Sequence, residues 1–154
     1  MGKADQEVRL TKICLALPEA TREVMGRHAG FRVRKKMFAY FLNDHHRDGI
    51  VCVCAKVLPG DNTALISAQP ARFYMPAYIG PKGWVALRLD RGAVDWKEAA
   101  ELVKTSYRLV APKSLAAKAS DQFHRRTGRS HFLSLCGGKT KTLLLLHNFS
   151  AACM

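Results

Sequence analysis

Hydrophobic and polar positions follow two rhythms along this chain. From Asp5 to Leu17, the apolar residues Val8, Leu10, Ile13, Cys14 and Leu17 recur at helical spacing. Asp5 and Glu7 stand in the first turn, where carboxylates complement the helix dipole, and Pro18 stops the helix. Residues 19–30 mix charge with Gly26 and Gly30 and read as a connection. "FRVRKKMFAYFL" (31–42) then has the aromatic and β-branched content of a strand. Strict alternation puts Phe31, Val33, Lys35, Met37, Ala39 and Phe41 on one face. The other face begins basic, with Arg32, Arg34 and Lys36, and ends apolar, with Phe38, Tyr40 and Leu42. A single strand face does not suit both characters. The pattern therefore predicts a bend or tight turn near Arg34–Lys35 between two short strands.

The polar turn "NDHHRDG" (43–49) leads into "IVCVCAKV" (50–57), which is apolar on both faces and so predicts a central strand. Residues 58–70 predict a loop and a short helix, capped by Asp61 or Asn62 and ended by Pro70. Residues 72–90 supply a loop, the turn "GPKG" and a strand from Trp84 to Leu89. Asp95–Val110 is the clearest helix. Trp96, Ala99, Val103, Tyr107 and Val110 make one apolar stripe, and Asp95 and Glu98 have capping-box spacing. This order predicts an α+β fold, a mostly antiparallel sheet with helices packed on it. The pattern stops after Lys118, which divides the chain into a domain, 1–118, and a C-terminal extension, 119–154.

Composition adds direction. At 154 residues and 48% hydrophobic, the chain can build one core. Its formal net charge of +13 attracts polyanions: nucleic acid, an acidic protein or an anionic membrane. Residues 1–119 carry 20 basic and 11 acidic side chains, so the excess is not confined to the extension. Five cysteines, an odd number in a chain that is not cysteine-dense, suit reduced thiols. With no apolar leader and no stretch of ~20 apolar residues, the expectation is a cytoplasmic protein without a membrane span.

The segments "ICLALPEA", "GRHAGFRVRKKMFAYF", "MPAYIGPKGWVALRLD" and "DWKEAAELVKTSYRLVAPKSL" together resemble the MmcQ/YjbR family of small bacterial proteins, over residues 8–117. The resemblance implies a CyaY-like α+β fold and a comparison with double-wing DNA-binding domains, whose sheet and hairpins face the duplex. It implies no established enzyme activity. The family pattern has a Gly-rich turn before the lysine that matches Lys36; here Arg34 and Lys35 occupy that turn.

The candidate chemistry is mainly basic. Arg32, Arg34, Lys35, Lys36, Lys56, Arg72, Lys82 and Arg88 all fall on predicted strands or adjoining turns, where cations can meet successive phosphates of a polyanion such as DNA. Such contacts position a protein without reading much sequence. Phe38, Tyr40, Tyr74, Tyr78 and Trp84 would stack on unpaired bases, or else pack in the core. Cys52 and Cys54 share one side of a strand without a second ligand pair, so they read as packed thiols rather than a zinc site. Asp44, His45, His46 and Asp48 read as a solvated turn. "CGGKTKT" lacks the first glycine of a phosphate loop, since Leu133 stands there. The leucine run of the extension would pack onto the domain or onto a second copy, making a homo-oligomer. The leading expectation is a DNA-binding protein of low sequence specificity, without catalysis, cofactor or metal. The alternative is a protein-interaction or small-ligand module with a cleft at Tyr78, Trp84 and Tyr107.

Overall fold

The computed structural model describes residues 2–126, with side chains described through residue 120. The Gly pair and leucine run of the extension, and the oligomer contact expected of them, lie outside the described residues. In chain order the elements are α1 (Lys3–Leu15), β1 (Ala20–Met25), β2 (His28–Val33), β3 (Lys36–Asn43), β4 (Val51–Lys56), α2 (Asp61–Ala68), β5 (Phe73–Tyr74), a 3-10 turn (Gly80–Lys82), β6 (Trp84–Arg88), α3 (Trp96–Val110) and α4 (Lys113–Arg126). The six strands form one antiparallel sheet in the order β1-β2-β3-β4-β6-β5. Helices α1, α3 and α4 pack together, with α1 and α3 against one face of the sheet, so the fold is α+β.

Alternation splits each strand between two environments. Val51, Val53 and Ala55 of β4, with Val85 and Leu87 of β6, point into the core beneath the helices. Cys52, Cys54, Trp84 and Ala86 point to the other face. The expected central strand is central, since β4 lies between β3 and β6. The expected turn at Arg34–Lys35 joins β2 to β3. Arg34 there takes a positive φ of 55°, a conformation that glycine adopts at less cost.

The mixed character of residues 31–42 has a second cause. The register between β2 and β3 shifts, so that Phe31 faces Ala39 while Arg32 faces Met37, leaving Phe38 as the extra residue of a bulge. The bulge turns both Phe38 and Ala39 toward the core. Phe38 meets Tyr107 edge to face, with ring centroids 5.3 Å apart. Ser106 repairs the interrupted ladder. Its hydroxyl donates to the Phe38 carbonyl and accepts from the Lys56 amide at 2.7 Å, bridging β3 and β4 where their register ends.

Four local expectations differ from the structure. Residues 19–30 contain a hairpin rather than a connection: β1 is an edge strand exposed along almost its whole length, so it shows no hydrophobic alternation. Helix α2 is capped by Gly60 at φ 89°, not by Asp61 or Asn62. Asn62 is instead buried and donates to the Gly80 carbonyl at 3.1 Å, tying α2 to the 3-10 turn. Asp95 caps α3 through the Lys97 and Glu98 amides, but the Glu98 side chain pairs with Arg72 rather than closing a capping box. Helix α4 runs without a break through residue 118, and Leu115 and Ala119 join the core.

Candidate functional site

The sheet has two chemically different ends. At one end are the β2–β3 turn, the end of β4 and the start of β6; at the other, the β1–β2 turn, the 43–50 loop and the end of β6.

The first end collects lysine. Lys35 and Lys36 are exposed at the β2–β3 turn, Lys56 ends β4 opposite Trp84, and Lys82 is exposed in the 3-10 turn. The Val57 amide donates to the Gly83 carbonyl at 2.8 Å, which holds the Lys82 turn beside Lys56. Among the described residues these four lysines take part in no ion pair.

The four arginines of the expected basic set are all paired. Arg32 pairs with Glu23 across β1 and β2, and Arg34 pairs with Glu19 at 2.6 Å. Arg72 pairs with Glu98 of α3, and Arg88 with Asp90 at 2.6 Å. These contacts satisfy the guanidinium groups locally and offset their charge. The Arg88–Asp90 hydrogen bond holds the Asp90 carboxyl below its usual range despite partial burial. The eight cations therefore do not form one surface: Arg72 faces a helix, Arg88 stands at the far end, and the lysine end is the common ground.

The second end is a cleft of about 390 Å³. Its floor is Tyr40, Leu42, Cys52 and Tyr74. One wall is the 76–79 segment, and the rim is His28, His45 and His46. Of the expected cleft residues, only Tyr78 lines it. Tyr107 lies on the other side of the sheet, fully buried, with its hydroxyl donating to the Pro18 carbonyl at 2.5 Å. Trp84 is buried beside Tyr40 on the same face, with ring centroids 5.3 Å apart, and supports the floor from the side. Sequence alone groups these two with Tyr78 because aromatic type shows neither that Tyr107 packs beneath the helices nor that Trp84 stands beside the cleft rather than in it. Leu42, His28 and the wall at Ile79 were missed; they come from three separate elements and share no spacing signal.

Polar groups in the cleft are organised. Cys52 Sγ lies 3.1 Å from the Tyr74 hydroxyl and 3.9 Å from Cys54 Sγ. Hydrogen bonds from Cys54 and Tyr74 pull the Cys52 thiol below its ordinary value against the cost of burial. The same contacts and burial push Cys54 and Tyr74 up. Cys14, buried beneath the helices with no such donor, is pushed well up by burial alone. At the rim, the Asn43 amide donates to His28 Nδ1 at 3.1 Å, and His28 Nε2 faces His45 Nδ1 at 3.3 Å. Burial and the neighbouring His45 and Arg27 hold His28 below its usual value. The turn read as merely solvated thus forms one side of the cleft. Among the described residues, no three His, Cys, Asp or Glu side chains are grouped to hold a metal ion. No described helix is long and apolar enough to cross a membrane.

No curated protein matches the chain. The crystal structure of Deinococcus radiodurans protein DR2400, described as a DUF419 domain, is similar: 25% identical, covering 86% of this chain and 93% of that one, with a TM-score of 0.56. The YjbR family model matches residues 15–109, from the end of α1 to the last turn of α3, and so spans the whole sheet. The chain belongs to the YjbR family.

Proposed function

We propose that this protein contacts the phosphate backbone of DNA through the lysine end of its sheet, with little sequence preference and without catalysis. One observation carries the reading. Of the eight expected cations, the four that have no carboxylate partner among the described residues are all lysines, and all stand at one end of the sheet. Lys56 and Lys82 stand together at the end of β4 and in the 3-10 turn on the helix-free side, while Lys35 and Lys36 stand at the helix-side corner of the same end, beside Val110 and Pro112. Phosphates of a duplex set against this end meet the lysines as point charges, and counterions are released. The wider excess of positive charge supports encounter with a polyanion. Lysines aimed at phosphate oxygens position a duplex without reading its bases, which is the basis for low specificity.

Fluorescence anisotropy with a labelled duplex across a salt series tests this. Four phosphate contacts give a slope of log affinity against log salt of about −3.6. A Lys35→Glu, Lys36→Glu double variant weakens binding and flattens the slope by about 2, whereas Arg72→Gln leaves both unchanged. Absence of binding at low salt, or a slope near zero, defeats the reading.

A further inference from the structure

We propose that the cleft at the opposite end of the sheet binds a small molecule with a flat apolar body and a single hydrogen-bond-accepting head group, a carbonyl or a carboxylate. This does not depend on the DNA reading, which uses other residues at the other end.

The body follows from the walls. Tyr40, Leu42, Tyr74 and Ile79 line the cleft with aromatic and branched apolar groups, and its volume is within the range of small-ligand sites and too small for a helix. Tyr78 adds the second observation. It is 85% exposed and holds a positive φ of 63°. A bulky residue in that region is strained, and such strain concentrates where a ligand is clamped. An exposed ring on a strained backbone, at the mouth of an aromatic cleft, gains its contact area only when a flat group lies beneath it. Asn62 anchors this segment on both sides by bonding the Gly80 carbonyl and Met75 Sδ, which fixes the backbone that carries Tyr78 at the edge of the cleft.

The head group follows from the rim. Because the Asn43 amide occupies His28 Nδ1 as an acceptor, neutral His28 carries its proton on Nε2. That proton is directed at His45 Nδ1, which must accept it. Neutral His45 then carries its own proton on Nε2, a donor with no protein acceptor among the described residues. The backbone amide thus sets both tautomers and leaves a donor on a cleft residue, so the complementary ligand atom is an acceptor. Asp48, also at the rim, makes no hydrogen bond to His45; its Oδ1 accepts from the Ile50 amide at 2.9 Å.

The probes are 2-naphthoate, 2-naphthamide and naphthalene, each titrated into the full chain by amide chemical-shift mapping, with alkylation of Cys52 as a second readout. The two compounds with acceptors are expected to bind about tenfold tighter than naphthalene. They should shift the Leu42, Tyr74 and Ile79 amides and protect Cys52 from iodoacetamide. His45→Phe should reduce the difference to less than twofold. Tyr78→Ala should weaken all three compounds alike. Preference for the acid over the amide identifies a carboxylate head, and equal binding a carbonyl. Equal affinity for all three compounds overturns the head-group assignment while leaving the cleft a binding site. Shifts that map elsewhere, or failure of all three to bind or protect Cys52, overturn the proposal as a whole.

Discussion

The two faces of the sheet are built from the same strands by the same alternation, yet they have become different materials. Beneath the helices, Phe31, Phe38, Phe41, Val53 and Tyr107 are fully buried, and the tyrosine hydroxyl among them is satisfied by the Pro18 carbonyl. On the helix-free face the equivalent positions carry Arg32, Tyr40, Lys56, Tyr74 and Arg88, half-buried residues with polar ends, and between them an apolar cluster that holds the buried Cys52. The covered face needs volume and shape, because close packing leaves no room for error. The free face keeps groups that can exchange a protein or water contact for a ligand contact. On the functions proposed above, stability rests on one side and recognition on the other.

The largest effect is expected on the covered side. Phe38→Ala empties a fully buried site and removes the edge-to-face contact with Tyr107; it should cost ~3–5 kcal/mol in urea unfolding. A loss below ~1 kcal/mol would place the stabilising core elsewhere. Ser106→Ala comes next. It leaves the Lys56 amide and the Phe38 carbonyl unpaired beside the bulge and should cost ~2–3 kcal/mol, with faster hydrogen exchange at Lys56. Unchanged exchange there would show that the bulge is repaired by other means.

On the free face the effects are chemical before they are structural. Cys52 should alkylate with a rate–pH midpoint below that of an ordinary thiol, 9.0, because the lowered value raises its thiolate fraction near neutral pH. Tyr74→Phe removes one donor, raises that midpoint, and slows alkylation at pH 7 by about fivefold, at a stability cost of about 1 kcal/mol or less. Cys14 should stay unreactive in the folded protein throughout. Reaction at Cys14 or Cys54 ahead of Cys52 would remove the distinction between the faces. The smallest effect is expected at the edge between them. Arg34→Gly relieves the positive φ of the β2–β3 turn and loses only an exposed ion pair, for a net gain of ~0.5 kcal/mol in thermal unfolding. A net loss would mean that the Glu19 contact outweighs the strain.

Much of the fold was legible because it is local. The stripe of α3, the doubly apolar β4 and the stop at Pro18 each need only a period and a neighbour. The turn at Arg34–Lys35 was legible as a contradiction, one face asked to be both basic and apolar. The bulge at Phe38 was not, since it depends on the register of a partner strand. Ser106 was visible as a polar residue beside the stripe of α3, but its role requires β3 and β4 to be in place. Strand β1 and helix α4 were missed for a related reason. An exposed edge strand shows no alternation, and a helix that packs through Leu115 and Ala119 shows little apolar weight.

The same division governs the sites. Eight cations could be counted along the chain, but ion pairing is decided by what lies across a strand or helix: Glu23 for Arg32, Glu98 for Arg72. The cleft joins residues 28, 40–52 and 74–79, which only antiparallel pairing and the return of the 76–79 segment bring within reach. Sequence by itself determined the periodic elements, the excess of positive charge and the family likeness, because each follows from residue type at short range. Tertiary structure alone decided which cations stay unpaired, which tyrosine is core and which is cleft, and where the bulge falls, because each depends on groups far apart in the chain sharing one face of a sheet.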